Sequence, residues 1–203
     1  MSTDPPANLW QPRSVDDTLR LYASWAKTYD ADVTAWGYAT PGRIATALAD
    51  QLIDKSVAIL DFGCGTGLSG AALRAQGFTC VDGTDASNQM IKEAQATNLY
   101  RKTWTCTPDH LDVRSGTYAA ITAIGVIGAG AAPAATLDLI FASLARAGLL
   151  AMSYNDATLL DPDYTDRLQS LQDSRRARLL FNETGPHLPG KDMNSTVYIL
   201  EKT

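Results

Sequence analysis

The chain has 203 residues, 45% of them hydrophobic, with 17 Lys and Arg against 22 Asp and Glu for a formal net charge of -5. That length suits one α/β domain with one core, and no apolar run approaches the roughly 18 residues needed to span a bilayer. The acidic balance disfavours broad capture of nucleic acid or an anionic membrane surface and points to a small partner. Cys64, Cys80 and Cys106 are too widely spaced for a disulfide framework or a zinc pattern, and His110 and His187 have no carboxylate cluster around them, so no metal is expected. The first residues lack a basic stretch followed by an apolar one, which predicts a cytoplasmic protein, acting as a monomer or homodimer.

Residues 1–15, with Pro5, Pro6 and Pro12, are expected to form a flexible lead-in. From Asp16 or Asp17, apolar positions at Leu19, Tyr22, Ala23, Ala26 and Tyr29 line one helical face. A second helix should start where Thr40 can cap and Pro41 can take the first turn. These two helices fill residues 16–54, as a lid ahead of a core over residues 55–203, within a single domain. A first strand, Ser56–Asp61, runs into the glycine turn and then a helix to about Ala75. Strands are expected at Phe78–Thr84, Lys102–Cys106, Tyr118–Ile124 and Gly148–Tyr154, with helices at Ser87–Thr97, from Pro133 to about Arg146, and at Asp161–Asp173. Two final β runs, Ala177–Glu183 and Thr196–Glu201, have only the loop of residues 185–194 between them. Alternating strands and helices imply a Rossmann-like, doubly wound, seven-stranded sheet, mostly parallel with an antiparallel last strand and helices on both faces.

In such a sheet the ligand lies beyond the carboxyl ends of the strands. The first strand delivers Asp61, Gly63, Cys64, Gly65, Thr66 and Gly67 to that edge, where glycines permit close approach and the next helix offers free N–H groups for an anionic group. The second strand ends at Asp85, 18 positions after Gly67, where a carboxylate can accept both hydroxyls of an unphosphorylated ribose. The pair predicts an adenosine-bearing cofactor. Residues 65–70 also form a GxGxxG string, which keeps a dinucleotide open, although Asp61, a turn already begun at Gly63 and two preceding helices speak against NAD.

The run from Leu60 to Gly67 resembles motif I of class I S-adenosylmethionine (SAM) dependent methyltransferases, and the terminal hairpin resembles their last two strands. The stretches at residues 22–33, 36–41, 70–77 and 82–87 resemble, more narrowly, the Williams-Beuren syndrome region methyltransferase-like proteins, the methyltransferase-like protein 27 group. The likeness covers about residues 20–155. It implies SAM as cofactor and S-adenosylhomocysteine (SAH) as product. It places Asp61 near the cofactor's amino group, the backbone of residues 63–67 on its methionine part and Asp85 on its ribose. Ala86 and Met90 would flank the adenine, with Gly125 beside them and Tyr22, Trp25 and Tyr29 in the lid. Where many members carry Gly-Asp after the third strand, this chain has Cys106 and Thr107, so either Thr107 or Asp109 is expected to reach the adenine amino group, with His110 shaping that edge.

The same resemblance implies methyl transfer to an oxygen or nitrogen of a small-molecule acceptor. Residues 124–128 lack the Asn/Asp-Pro-Pro-aromatic run of enzymes that methylate exocyclic amines of nucleic-acid bases. If the sixth strand is parallel to the others, His187 in the following loop would meet Tyr154 and Asn155 at the ligand edge, as a base or substrate contact. Arg175, Arg176 and Arg178 read as a solvated face. The competing readings are an NAD-linked oxidoreductase, though no Tyr-x-x-x-Lys dyad is evident, and a SAM-binding module without turnover.

Overall fold

A computed structural model describes residues 5–6, 9–107 and 109–203. Helix α1 (Val15–Ala35) begins at Ser14, whose hydroxyl accepts from the Asp17 N–H, and Asp16 and Asp17 complement the positive end of the helix. Helix α2 (Thr40–Gln51) has Pro41 in its first turn as expected, but its cap is Ala39, with no side-chain bond. Thr40 is inside the helix, and its hydroxyl is used elsewhere. Strand β1 (Ala58–Phe62) leads through the glycine turn into α3 (Leu68–Ala75). Then follow β2 (Cys80–Asp85), α4 (Asn88–Ala96), β3 (Thr103–Thr105), β4 (Ala120–Ala123) and α5 (Thr136–Ser143). Ser87 caps α4 with its hydroxyl.

Helix α5 is shorter than the sequence suggests, because the carbonyls of residues 133–135 close tight turns onto the N–H groups three residues on, and Leu144 is already extended. After β5 (Leu149–Asn155) come a short α6 (Asp156–Leu159), which Asn155 caps, and α7 (Pro162–Asp173), which Asp161 caps. The terminal hairpin is longer than predicted, with β6 (Ala177–Leu188) and β7 (Met193–Lys202). Its ladder continues through Gly185 and Pro186 with register shifts after Leu179 and Pro186. The expected loop is therefore mostly strand, and His187 lies in β6.

The sheet order is β3-β2-β1-β4-β5-β7-β6. Strands β1 to β5 are parallel, β7 runs antiparallel to β5, and β6 antiparallel to β7, so β6 is parallel to the central strands. Alternation along the strands sends side chains to two cores. Leu60, Ile121 and Leu150 pack with Leu137 and Phe141 of α5 and Leu168 of α7. Ile59, Ala120 and Ala151 pack on the other face with Ile44 and Leu48 of α2 and Leu73 of α3. A third, smaller cluster joins Leu9, Trp25, Val33, Trp36 and Leu188 at the carboxyl edge. Thus Leu9 is buried and Trp10 packs beside it, because the indole and aliphatic groups of α1 give them an apolar surface to cover, while Gln11, Pro12 and Ser14 stay exposed; residues 1–4, 7 and 8 lie outside the description.

Among the described residues no helix is long and apolar enough to cross a membrane. Nor do any three His, Cys, Asp or Glu side chains among them gather as a metal site.

Candidate active site

The turn after β1 is held from beneath. The N–H groups of Gly63 and Cys64 both donate to the Thr84 carbonyl at the end of β2, at 2.7 and 3.0 Å. Gly63, at φ 69°, has no room for a Cβ, which would lie 2.7 Å from Val126 Cγ1 and closer still to Cγ2. Gly65, at φ 54°, is different: a Cβ there would meet nothing within 4 Å. It faces a cleft of about 890 Å³, counting the space open to solvent.

The cleft lies where the sheet order reverses between β1 and β4. Its walls carry Gly63, Gly65, Asp85, Ala86, Met90 and Gly125, with Tyr22 and Tyr29 from α1, all expected from the sequence. Asp85 is both a wall and a brace. Its Oδ2 accepts from the Gly65 N–H at 2.9 Å and its Oδ1 from the Ser87 N–H at 2.8 Å. Burial raises its pKa, while these N–H donors pull it back. Phe62, Cys106, Ile124, Val126 and Pro133 complete the floor, and Val15, Thr18 and Leu19 of α1 the roof. Their residue types carry no chemical signature, so sequence reasoning missed them. The helical period that marked Leu19, Tyr22 and Tyr29 as one face was the only usable signal.

Several predicted residues support the cleft without lining it. The Asp61 carboxylate is buried and spoken for, accepting from the hydroxyls of Ser69, of Tyr100 at 2.7 Å and of Thr122 at 2.8 Å. Burial raises its pKa against those three donors. It ties β1, α3 and β4 together and does not itself line the cleft. Cys64 packs with Ile91 and Ala94 under the turn, its thiol pushed up by burial. The Thr66 hydroxyl donates to Asp30 of α1, which fastens the roof to the turn. Gly67 caps α3. Thr107 and Asp109 do not reach the cleft: the chain turns away after β3, so Cys106 takes that wall, Thr107 and His110 border a separate surface depression, and Asp109 is exposed.

A second chamber of about 610 Å³ adjoins the first, and Tyr22, Tyr29, Gly125 and Ala131 line both. Its wall is aromatic, with Trp10, Trp25, Trp36 and Tyr38 beside the two shared tyrosines. Trp25 therefore belongs here and not with the cofactor-type cleft; its indole N–H donates to Asp32 at 2.7 Å. Burial raises the phenols of Tyr22, Tyr29 and Tyr38, so they stay protonated. The polar groups are Ser153, Asn155, Thr158 and His187. Ser153 accepts from the Gly125 N–H at 3.1 Å.

Asn155 and His187 both line this chamber. Tyr154 does not join them. Alternation along β5 turns Ser153 and Asn155 to the chamber and Tyr154 to the opposite core, against Tyr164 and Tyr198. His187 is buried, and burial pushes its imidazole pKa down to about 4, with Arg43 adding to the fall and Asp156 opposing it.

A glycine turn, an acid at the end of β2, a reversed β7 and two joined cavities define the class of protein. The family model described as methyltransferase domain matches residues 36–192. The chain belongs to that family. It is 38% identical over 120 residues to human methyltransferase-like protein 27, a stretch covering 57% of this chain and 49% of that protein. The chain thus spans about half the length of this curated relative. A SAM-dependent methyltransferase from Thermotoga maritima superposes with a TM-score of 0.63 at 14% identity, covering 92% of this chain and 100% of that one. Magnesium protoporphyrin IX methyltransferase from Synechocystis with bound SAM gives a TM-score of 0.57 at 16% identity, over 98% and 86%. These structures share the fold.

Proposed function

We propose that this protein transfers a methyl group from SAM to an oxygen or nitrogen of a small-molecule acceptor, with SAM in the glycine cleft and the acceptor in the aromatic chamber. The junction of the two cavities at Tyr22, Tyr29, Gly125 and Ala131 carries this reading, because donor and acceptor need a shared boundary and not a shared pocket.

The residues fit the cofactor. Gly65 leaves open the space that a side chain would fill, Asp85 offers carboxylate oxygens to ribose hydroxyls, and Ala86, Met90 and Ile124 give apolar surface for a base. When bound, SAM supplies a sulfonium-activated methyl group. The chain's own part is then to align an acceptor and to exclude water. Gly125 allows close approach at the boundary, since a Cβ there would collide with the Tyr38 hydroxyl. Tyr22 and Tyr29 roof both sides, and the Thr66–Asp30 contact holds that roof down.

Calorimetry with SAM and SAH tests the donor half, and SAH release on adding fractionated metabolites tests turnover. Wild-type protein that ignores both ligands while binding NADH would overturn the proposal. Tight SAM binding with no SAH release across such fractions would favour a sensing role.

A further inference from the structure

His187 is anchored by a chain of hydrogen bonds whose direction follows from where its hydroxyl protons can go. The Arg43 Nη1–H donates to Ser195 Oγ at 3.2 Å; Ser195 Oγ and Thr40 Oγ1 lie 2.8 Å apart; Thr40 Oγ1 and His187 Nδ1 also lie 2.8 Å apart. Arginine can only donate. Thr40, Ser195 and His187 are all buried, so their hydroxyl protons need acceptors within this chain. Two hydroxyl protons must be placed on two links. If Ser195 donates to Thr40 and Thr40 donates to His187 Nδ1, both are used. If Nδ1 instead carried the ring proton, the second link would be taken from the ring side and one buried hydroxyl proton would have no acceptor. The neutral ring therefore holds its proton on Nε2.

The ring is held from other sides as well. The His187 carbonyl accepts from the Ala39 N–H at 3.0 Å, and Tyr38 meets the imidazole edge-on with centroids 5.2 Å apart. The charged groups that act on it are Arg43 of α2 and Asp156 of α6. Arg43 itself is fixed by the carbonyls of Glu183, Pro186 and Ser195, at 2.8, 3.1 and 3.0 Å. With Nδ1 committed to Thr40, the Nε2 edge is what His187 has left for the chamber it lines. Among the described residues no Asp, Glu, Lys or Arg lines that chamber, and six of its wall residues are Trp or Tyr.

We infer that the aromatic chamber takes a flat, uncharged acceptor, and that His187 receives it as a hydrogen-bond donor through Nε2–H to a lone pair of an acceptor oxygen or ring nitrogen, with Thr40, Ser195 and Arg43 as positioning residues. The inference rests on the methyl-transfer reading for the word acceptor and on the wall and the proton count for everything else. A carboxylate would leave water there without an opposite charge to meet, and an ammonium, although ring faces attract cations, has no lone pair to accept the Nε2–H. His187 is then a recognition group and not the base that the sequence suggested.

Two measurements test this. Long-range nitrogen–proton NMR correlation on the wild-type protein reads the ring tautomer, and only two histidines need assigning. The expected spectrum shows His187 neutral near pH 7 with its proton on Nε2, and Thr40→Val, which keeps the shape and removes the hydroxyl, gives a tautomer mixture. A wild-type proton on Nδ1, a charged ring near pH 7, or an unchanged tautomer in Thr40→Val would overturn the relay. The second measurement is calorimetry with 2-naphthol, 2-naphthoate and 2-naphthylmethylammonium, with and without SAH. Naphthol should bind at least about tenfold tighter than either ion, and His187→Phe should lose about fivefold for naphthol but not for naphthalene. Equal or tighter binding of an ion, or a naphthol affinity indifferent to His187→Phe, would refute the recognition role. Should SAH fail to bind, methyl transfer falls, while the tautomer and the naphthol preference measured without SAH still decide this inference.

Discussion

Gly65 and Gly63 are two residues apart in one turn, and the structure assigns opposite consequences to the same added methyl group. At Gly65 an alanine must adopt φ near 54°, which costs about 1–2 kcal/mol for an L-residue and is partly offset by the lower entropy of the unfolded chain. The net loss of about 1 kcal/mol should lower Tm by about 2–4 °C in a chain of this size. Its Cβ meets no protein atom within 4 Å, so folding is otherwise undisturbed. The methyl group instead enters the cleft. Overfilling a fitted site costs about 2 kcal/mol, or about 30-fold in affinity for SAM and SAH. At Gly63 the Cβ is forced against the stiff, β-branched Val126, so the alanine should lower Tm by about 6–12 °C through roughly 3 kcal/mol of lost stability. Paired thermal melts and SAH calorimetry on Gly65→Ala and Gly63→Ala separate the two effects. Gly65→Ala protein that binds SAH within about twofold of wild type would refute the assignment of this cleft to the cofactor.

Other expectations follow from individual contacts. Asp85→Asn keeps one acceptor oxygen where two N–H groups and a ribose compete for it, and should weaken SAH binding about tenfold or more by calorimetry. Tyr100→Phe removes a hydroxyl that donates to Asp61 at 2.7 Å and accepts from the Gly70 N–H at 3.0 Å; chemical denaturation should show a loss of about 2–4 kcal/mol. Asp82 is buried, which pushes its pKa up, but hydrogen bonds from Arg101 and Tyr118 outweigh this and hold it below the usual range. The resulting stability is present above about pH 4 and is lost as pH falls through the depressed native pKa. Asp82→Asn should therefore flatten the acid limb of a Tm-versus-pH curve, and an unchanged limb would contradict the ion pair's role.

The parallel sheet was legible because β1, β4 and β5 are short, largely apolar runs that alternate with helical ones, and the reversal at β7 followed from two β runs with no helix between them. Asp85 and the turn at residues 63–67 were legible for the same reason: backbone conformation and a carboxylate at a strand end are local properties. What the sequence concealed is orientation. Asp61 stands in the motif, yet which way its carboxylate turns depends on Ser69, Tyr100 and Thr122, three separate elements. Tyr154 and Asn155 are neighbours in sequence and opposites in the sheet, and which one faces the ligand depends on register. Thr40 has the composition of a helix cap, but a polar partner 147 positions away, His187, competes for its hydroxyl more effectively than its own backbone does. Gly185 and Pro186 suggest a loop, whereas an edge strand tolerates them and carries His187 inward.

Tyr22 and Tyr29 sit on one helix and line both cavities, with a small apolar cluster of its own holding that helix to the edge of the sheet. A ligand that ordered α1 from one cavity would order it for the other as well. Linkage then requires the two affinities to rise together and by the same factor, so that an acceptor analogue which tightens SAH binding must itself be tightened equally by SAH.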